Sequence, residues 1–304
     1  MGSEPVLPKG TRPLDVQVAG HRHGAGKTKL GMLQSEEDAH LIYKAVQNPP
    51  RGTRELEFYQ QVFSPACTDV QLLQLKRFMP HFAGVYYYKE TPDVPYLKLE
   101  NIVSKFRKPC VADIKMGPCT YDPTASAEKI ASEVQKFPAV VRIGFQFTGL
   151  QVHDPTRNKT ECLDKFWCRS LKEEEFLING VGKFFGLDHH LRKDVIKALL
   201  EKLQLIQDWF DTQTELAFYA SSLLVVYEGE VQNASRHGTT MNGPESSDLL
   251  KTKSDGTEVN SDHPLVDVRM IDFTHVFKSE TKDENYLFGL RNLIRYLNEL
   301  LQLG

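Results

Sequence analysis

The chain has 304 residues, more than the roughly 100 to 200 of a typical single domain, and its 40% hydrophobic and 25% charged residues suit a globular protein with a substantial core. A formal charge of −3 argues against generic affinity for nucleic acid or anionic membranes, so a bound anion must meet a local basic cluster. Five cysteines without a CxxC pair suggest neither a zinc knuckle nor a disulfide framework, and no stretch approaches the ~18 apolar residues of a membrane span. We therefore expect an intracellular protein, in the cytoplasm, the nucleus or both, with no transmembrane segment and no nucleic-acid partner.

The first third of the chain predicts an arm followed by a small region of strands and helices. Residues 1–15 are rich in Pro, Gly and charge, which predicts disorder. Strands are expected at residues 16–19, 39–46 and 96–101, and helices at residues 54–63 and 69–78. A glycine-bearing turn at residues 20–31 separates the first two strands, which resemble a hairpin.

The rest of the chain predicts a mixture of helices and strands. Helices are expected at residues 126–137, 172–185, 196–210 and 285–301, and strands at residues 143–152, 219–228 and 266–273. Residues 232–264 are rich in Ser, Asn, Gly, Thr and Asp, which predicts a mobile loop. If the two strands that flank this loop pair, they do so across it.

A short alternating segment at residues 109–117 carries one carboxylate and one ammonium group two residues apart. Successive side chains of a strand point to opposite faces, so Asp113 and Lys115 are expected on one face. An acid and a base presented together can hold a hydroxyl and a phosphate at once, which suits phosphoryl transfer to an alcohol. Such pairs also occur on solvated strand faces, and this segment alone leaves both interpretations open.

Two further segments carry groups that phosphotransferases use to hold ATP. Lys44 lies in a predicted strand, and Glu55 and Glu57 follow on the next predicted helix, where a carboxylate can fix a lysine against triphosphate oxygens. Asp272 ends a buried strand and can chelate Mg²⁺ that bridges ATP phosphates, with Ser222 of the preceding strand as a neighbour. The alternatives are a surface lysine, a turn-capping aspartate and a backbone-bonded serine.

Basic side chains and histidines are spread through the polar middle of the chain. A compact polyanion such as a multiply phosphorylated ring needs convergent Arg and Lys, with Arg supplying bidentate contacts. The residues that can supply them are Lys129, Lys136, Arg142, Lys165, Arg169, Lys183, Arg192, Lys193, His153, His189 and His190. Because acidic residues are interspersed, a solvated charged face is the alternative.

Three of these segments together resemble the inositol polyphosphate kinase family in their order and spacing. They are PxxxDxKxG at residues 109–117, SSLL at 221–224 and IDF at 271–273. The similarity extends to QVAGH at 17–21, RELEFY at 54–59, YLKLEN at 96–101, YDPTASAEKI at 121–130 and FYASSLLVVYEG at 218–229. It covers nearly all of the chain from residue 16 onward and is greatest for the multikinases of that family.

The resemblance implies an α+β fold: a two-lobed, protein-kinase-like ATP-binding fold with an inositol-phosphate-binding insertion. The implied divisions are a disordered arm at 1–15, an N-terminal ATP-binding lobe at 16–101 and a C-terminal lobe at 102–304. The C-terminal lobe is expected to include an inositol-phosphate-binding region at 118–193 and the mobile loop at 232–264.

The resemblance also implies roles for residues that would hold the nucleotide. Lys44 is expected to hold ATP phosphates, and Glu100 and Asn101 to form the hinge that meets adenine. Asn101 stands where the multikinase pattern has Asp. Asp272 is expected to ligate Mg²⁺, with Ser222 nearby.

On the acceptor side, the resemblance implies that Asp113 and Lys115 face both the nucleotide and the inositol. Lys115 is expected to bridge the transferred phosphoryl group, and Asp113 to orient the acceptor hydroxyl or the ribose. The residues expected to contact substrate phosphates or hydroxyls are Lys115, Lys129, Arg169, Arg192 and His275. Ala-Ser-Glu at residues 131–133 replaces the glutamine run of the multikinase substrate helix, which bears on the range of acceptors.

The expected function is transfer of the ATP γ-phosphate, with ATP and Mg²⁺ as cofactors, to hydroxyls of soluble inositol polyphosphates, from trisphosphate to tetrakis- and pentakisphosphate. Phosphoinositide head groups are a further candidate acceptor, and a monomer is expected. A dedicated inositol trisphosphate 3-kinase and an inositol hexakisphosphate kinase are the nearest alternatives. A non-catalytic nucleotide-binding scaffold is the alternative outside enzymes, although a scaffold does not need four charged residues such as Lys44, Asp113, Lys115 and Asp272.

Overall fold

A computed structural model describes residues 7–20, 22–24, 30–230 and 265–303 of the chain. The strands are β1 Thr11–Pro13, β2 Met32–Ser35, β3 Leu41–Ala45, β4 Phe82–Tyr88, β5 Thr91–Glu100, β6 Pro109–Met116, β7 Phe145–Asp154, β8 Lys159–Leu163, β9 Leu216–Phe218, β10 Ser222–Glu228, β11 Val266–Ile271 and β12 Val276–Lys278. The α-helices are α1 Arg51–Phe63, α2 Val70–Leu75, α3 Ala127–Lys136, α4 Val140–Ile143, α5 Lys165–Ser170, α6 Lys193–Thr212 and α7 Glu284–Leu303. No α-helix in these ranges is long and apolar enough to cross a bilayer.

Two antiparallel sheets of five strands each organise the chain. The N-terminal sheet has the order β1-β2-β3-β5-β4, and the C-terminal sheet has the order β11-β10-β6-β7-β8. Strands β9 and β12 form a separate two-stranded sheet. Strand β10 is central in the C-terminal sheet, because it pairs with β6 on one side and with β11 on the other. This position explains why its sequence is apolar almost throughout and why almost all of its residues are buried.

Side-chain caps and apolar stripes explain the helices around these sheets. Asp69, Ser126 and Asp164 each precede a helix and accept hydrogen bonds from backbone N–H groups of its first turn. The long helices α6 and α7 pack against each other and against the C-terminal sheet, with buried residues at spacings of three and four.

One hydrophobic core runs through both sheets. Phe273 is fully buried and its ring lies 5.1 Å from the ring of Phe58 and 5.4 Å from that of Tyr59, both on α1. Phe218 connects the same cluster to Phe210 of α6 at 5.5 Å. Because helix α1 is packed into the core of the C-terminal part, the relative position of the two sheets is set by buried aromatic contacts.

The N-terminal segment differs from the sequence-based expectations. Residues 11–13, expected in a disordered arm, form β1 and pair with β2, while residues 1–6 lie outside the described residues. Residues 16–19, expected as a strand, have no strand pairing, and Val16 and Val18 instead pack against the cluster around Ile102 and Val111. Side-chain packing, rather than a ladder of backbone hydrogen bonds, therefore holds this segment against the C-terminal sheet.

The predicted helices and the other predicted strands are present, and the structure adds short elements that the sequence did not predict, among them β2, β4, β8 and α5. Strand β4 pairs with β5 at the edge of the N-terminal sheet, and residues 173–182 are wound as a 3₁₀ turn and a π-helix rather than as an α-helix. The predicted strands 219–228 and 266–273 do pair, as β10 and β11. The loop predicted at 232–264 lies outside the described residues.

Replacing Gly149 by Ala tests the packing of the segment at residues 16–19. An ideal Cβ at this position of β7 comes within 1.9 Å of the Val18 carbonyl oxygen, so the segment must move. Gly149→Ala should cost about 1–3 kcal/mol of stability and increase hydrogen exchange at the backbone amides of residues 16–20. Gly180→Ala is the matched control, because its nearest neighbour is a Leu171 methyl at 3.3 Å. Equal exchange in both variants would contradict the contact.

Candidate active site

An ion-pair cluster joins β3, α1 and the turn after β11. Lys44 Nζ lies 2.7 Å from Glu55 Oε1 and 2.5 Å from Asp272 Oδ1. The same Glu55 oxygen accepts a hydrogen bond of 3.2 Å from the backbone N–H of Phe273. Burial by itself lowers the pKa of Lys44, but the charges of Asp272 and Glu55 outweigh burial and raise it above its usual value. Of the two candidate carboxylates on α1, Glu55 is buried and forms the pair, whereas Glu57 is exposed.

Asp272 occupies an unusual backbone position. Its φ of 63° is in the left-handed region, which Asp tolerates better than most non-glycine residues. Ile271 ends β11 before it and Phe273 enters the core after it. The chain therefore turns sharply between two anchored residues, and the Asp272 carboxylate lines the cavities described below.

Asp113 and Lys115 lie on the same face of β6, as the sequence predicts, and both line one cavity. In the C-terminal sheet Ser222 pairs with Lys115 on one side and with Ile271 on the other. Asp272 follows directly after this row. The three sequence segments thus meet at adjacent positions of one sheet.

The turn after β6 needs a glycine. Gly117 has a φ of 88°, and an ideal Cβ there would lie 2.3 Å from the side-chain amide of Asn285. That amide donates to the Cys119 carbonyl at 3.2 Å and accepts from the Cys119 N–H at 2.8 Å. The first turn of α7 thereby fixes the segment that leaves β6.

The surroundings of the Asp113 carboxyl group disfavour its charged form. Burial raises its pKa to about 6, the charge of Asp272 acts in the same direction, and the nearby hydroxyls of Thr148 and Ser222 act against it. Asp113 Oδ1 and Ser222 Oγ are buried, and within the described residues neither has a hydrogen bond of good geometry. Both oxygens are suited to a partner that the protein itself does not supply.

Three cavities converge on Asp272. We call the first of these the apolar cleft. Its walls are mostly apolar, and its polar residues are Gln17, Lys44, Tyr59, Glu100, Asn101, Asp113 and Asp272.

Glu100 and Asn101 stand at the edge of the apolar cleft, with their side chains already engaged. Glu100 pairs with Lys105 at 2.5 Å and accepts from the His81 N–H. Asn101 donates to the Ala39 carbonyl at 3.0 Å and accepts from the N–H of Val103. Their backbone N–H groups are also engaged, with the carbonyl oxygens of His81 and His40.

The other two cavities are polar and open. The first basic chamber is lined by the charged residues Arg22, Asp113, Lys115, Glu133, Lys136, Asp164, Lys165, Arg169 and Asp272. The second basic chamber is lined by Arg51, Arg54, Lys115, Asp122, Lys129, Glu133, Asp272 and His275. Both chambers share Lys115, Glu133 and Asp272. Because Asp272 also lines the apolar cleft, a polyanion in a chamber can lie next to a ligand in the cleft.

An aspartate–histidine pair lies in the second basic chamber. His275 Nδ1 is 2.5 Å from Asp122 Oδ2, and Asp122 also accepts from the Thr124 hydroxyl and N–H. Burial lowers the pKa of His275 despite the opposing effect of Asp122. The imidazole is thereby held in a fixed orientation and favours the neutral form at neutral pH.

Of the residues expected at the site, the structure separates only Arg192 from the rest, and of the wider set of basic residues and histidines only Lys129, Lys136, Lys165 and Arg169 line the chambers. Lys129 and His275 line the second basic chamber, and Arg169 lines the first. Arg192 is 6% exposed and lines none of the three cavities. It forms a bidentate pair with Asp194 and donates to the Glu228 carbonyl at 2.5 Å, so its role is structural.

Several residues of the chambers were not predicted as site residues. Arg51 and Arg54 reach the second basic chamber from helix α1 of the N-terminal part, and Asp122 and Glu133 are carboxylates that the sequence gave no reason to place beside an anion. Arg54 and Asp122 lie in the RELEFY and YDPTASAEKI segments at 54–59 and 121–130, and Glu133 lies in the stretch 131–133 that departs from the family pattern.

The oxygen atoms at the centre of the site fit a hard divalent cation. Asp272 supplies a carboxylate, Ser222 supplies a buried hydroxyl, and Asp113 Oδ1 faces the same space. Mg²⁺ is usually held by one or two carboxylates together with substrate phosphates, rather than by an all-protein cage. In keeping with this, the described residues contain no group of three or more His, Cys, Asp or Glu side chains that could hold a metal ion.

Comparison with known proteins defines the family. The family model for inositol polyphosphate kinase matches residues 96–298, more than half of the chain. The multikinase of Mus musculus is 34% identical over 383 residues, covering 99% of this chain and 96% of that protein. The chain belongs to the inositol polyphosphate kinase family. The family membership that the sequence motifs indicate, and its similarity to the multikinases, are thus confirmed.

Two further comparisons agree with this family assignment. Inositol hexakisphosphate kinase 3 of Mus musculus is 33% identical, but the match covers 70% of this chain and 52% of that protein. The structure of the S. cerevisiae inositol phosphate multikinase in complex with ADP and Mn²⁺ superposes with a TM-score of 0.63 at 24% identity, covering 86% of this chain and 99% of that one. The α+β, kinase-like fold expected of the family is confirmed.

Replacing Asp113 by Asn should change how stability depends on pH. The pKa of Asp113 in the folded protein, about 6, lies above its ordinary value of 3.8, so the folded protein binds the extra proton and loses stability as the pH rises from about 4 through 6. The uncharged Asn does not titrate. In metal-free buffer without nucleotide, the stability of Asp113→Asn relative to the wild type should therefore increase over this window, by up to roughly 3 kcal/mol. Urea titrations between pH 4 and 8 measure it, and a pH-independent difference would contradict the raised pKa.

Alanine substitutions of Arg192 and Arg169 should have different effects, the first on stability and the second on the KM for the acceptor. Arg192→Ala removes the hydrogen bond to the buried Glu228 carbonyl oxygen and the pair with the exposed Asp194, so the free energy of unfolding should fall by about 2 kcal/mol. Arg169→Ala should leave the melting temperature nearly unchanged and raise the KM for an anionic acceptor about tenfold or more. Thermal melts and initial rates well below the melting temperature test both. A raised KM without loss of stability in Arg192→Ala would restore that residue to the site.

Proposed function

We propose that this chain is an ATP- and Mg²⁺-dependent inositol polyphosphate multikinase that transfers the γ-phosphate to free hydroxyls of inositol tris- and tetrakisphosphates. The observation that supports this most is that an apolar cleft and two basic chambers all open onto Asp272, with Asp113 lining the cleft and the first chamber and Lys115 lining both chambers. A nucleotide in the cleft and a polyanion in the chambers would meet there.

The apolar cleft suits the nucleotide. Its apolar walls, Leu99 among them, can enclose a base, and Glu100 and Asn101 lie at its edge. Lys44 is rigidly held by Glu55 and reaches the phosphate end of the cleft. A lysine held in this way fixes a triphosphate with little loss of side-chain entropy.

The transfer itself depends on positioning and charge. Lys115 lines both basic chambers beside Asp272, where its ammonium group can stabilise negative charge on the migrating phosphoryl group. Asp113 can accept a hydrogen bond from the acceptor hydroxyl or from the ribose. Asp272 and Ser222 would hold Mg²⁺, which when bound neutralises charge on the phosphates.

The basic chambers suit a ring that carries several phosphates. Arg51 and Arg54 from one side, and Lys129 and Arg169 from the others, approach the same region. Both chambers are open, so a ring can bind in more than one orientation, which favours successive phosphorylation of different hydroxyls. The same openness admits the head group of a phosphoinositide as a further acceptor.

The coverage of relatives favours a multikinase over an inositol hexakisphosphate kinase. The multikinase match extends over almost all of both chains, whereas the hexakisphosphate kinase match covers about half of that protein. A scaffold without activity is disfavoured by the intact cluster of Lys44, Asp113, Lys115 and Asp272.

Incubation of the protein with Mg-ATP and a panel of inositol tris-, tetrakis- and pentakisphosphates tests this function. We expect sequential conversion of a trisphosphate into a tetrakis- and then a pentakisphosphate, followed by chromatography or NMR. A single addition would instead indicate a dedicated 3-kinase, and no product with any acceptor would reject the kinase assignment.

Asp272→Asn is the matching variant. It keeps the shape of the side chain and leaves Lys44 paired with Glu55, so the protein should remain folded. Loss of the carboxylate charge should lower kcat by about 10³-fold. Circular dichroism controls for folding, and activity close to that of the wild type would reject the metal-binding role of Asp272.

A further inference from the structure

The side chain of Glu133 lies unexpectedly inside the anion-binding part of the site. It projects from α3, is 9% exposed and lines both basic chambers. Its Oε1 accepts hydrogen bonds from Lys129 Nζ and, at 2.6 Å, from Lys136 Nζ. Burial alone raises the pKa of Glu133, but the two lysines outweigh burial and lower it, so the carboxylate is charged at neutral pH.

The other carboxylates of the chambers have separate partners. Asp113 and Asp272 belong to the reaction centre, Asp122 holds His275, and Asp164 accepts the N–H groups of Phe166 and Trp167 at the start of α5. Glu133 differs from these because its two lysine partners are cations that face the acceptor space.

We propose that Glu133 is a specificity-determining residue, whose carboxylate accepts a hydrogen bond from a free ring hydroxyl of the acceptor and rejects a phosphate at that ring position. This inference rests on the proposed function, because it names how the same site selects among inositol polyphosphates.

The physical argument is a difference between two ring substituents at one place. A hydroxyl donates to a carboxylate in a short, charge-assisted hydrogen bond. A phosphate at the same place brings like charges together, and a partly buried position increases the cost. The carboxylate therefore favours one substituent and disfavours the other.

The two lysines allow Glu133 to remain in the site while phosphates bind. Each ammonium group has three N–H donors, so Lys129 and Lys136 can keep one bond to Glu133 and give others to phosphate oxygens. Glu133 fixes the direction of both ammonium groups before the acceptor arrives, which lowers the entropic cost of binding.

The consequence is a limit on how many phosphates the ring can carry. An acceptor with a hydroxyl facing Glu133 satisfies the carboxylate, whereas a fully phosphorylated ring has no hydroxyl to offer. Wild-type protein should therefore bind at least one inositol pentakisphosphate isomer more tightly than inositol hexakisphosphate, although the latter has the higher charge.

Glu133→Gln tests this inference. The amide keeps the shape and can still accept a hydrogen bond, but it removes the charge. We expect the ratio of the inhibition constants of inositol hexakisphosphate and the preferred pentakisphosphate to shift by about tenfold or more toward the hexakisphosphate, since tenfold corresponds to 1.4 kcal/mol. Rates of trisphosphate phosphorylation measured alongside should change less than this ratio.

Glu128→Gln is the matched control. It makes the same charge change on the same helix, but Glu128 is exposed and lines neither chamber. The ratio of the two inhibition constants should be unchanged in this variant. A shift as large as in Glu133→Gln would show a general effect of net charge and overturn the inference.

Two further outcomes would also overturn it. One is a ratio that stays within twofold of wild type in Glu133→Gln, and the other is equal tightening of all anions, including inorganic phosphate. If Glu133→Gln does not fold, the wild-type comparison decides, because hexakisphosphate binding as tight as that of every pentakisphosphate isomer contradicts the proposal. Failure of the wild type to phosphorylate any inositol polyphosphate would instead reject the proposed function.

Discussion

A single buried carboxylate oxygen links the parts of the site that are far apart in sequence. Glu55 Oε1 on α1 accepts from the ammonium group of Lys44 on β3 and from the backbone N–H of Phe273 after β11. Because Glu55 is 1% exposed, its charge must be compensated within the protein, and only this arrangement of strand, helix and turn does so. The position of Asp272 follows from this bond on one side and from the buried ring of Phe273 on the other.

The contacts that fix Asp272 also place its negative charge near the carboxyl group of Asp113, and the protein without ligands compensates these two charges only in part. Asp272 is paired with Lys44, yet it still raises the pKa of Asp113, whose Oδ1 is buried. Placing two carboxylates near each other costs stability in the absence of a cation. That cost is typical of a site whose groups are fixed in advance for ligands that bring the missing positive charge, and little rearrangement is needed when they bind.

On the acceptor side, charge is concentrated locally in a protein that is slightly acidic as a whole. The chain has a formal charge of −3, but arginines and lysines from α1, α3, α5 and β6 converge on the two basic chambers. Within the described part of the chain, those chambers also contain Glu133 and the Asp122–His275 pair. A site for a polyol phosphate needs acceptors for hydroxyl groups as well as cations for phosphates, and the mixture of both signs provides them.

The sequence by itself determined the family, the fold class and most helices and strands, and it singled out the residues that we propose for the reaction centre. These follow from local information: alternation placed Asp113 and Lys115 on one face, and motif order identified Lys44, Asp272 and Ser222. Only the tertiary structure decided between Glu55 and Glu57, and only it placed residues 11–13 in a strand. It also buried Arg192 against the Glu228 carbonyl oxygen, away from the site, and brought Arg51 and Glu133 into the second basic chamber. The reason is physical: an arginine that binds a ligand and an arginine that is buried against the chain's own carbonyl oxygen have the same local sequence pattern, and the difference lies in what other parts of the chain pack against them.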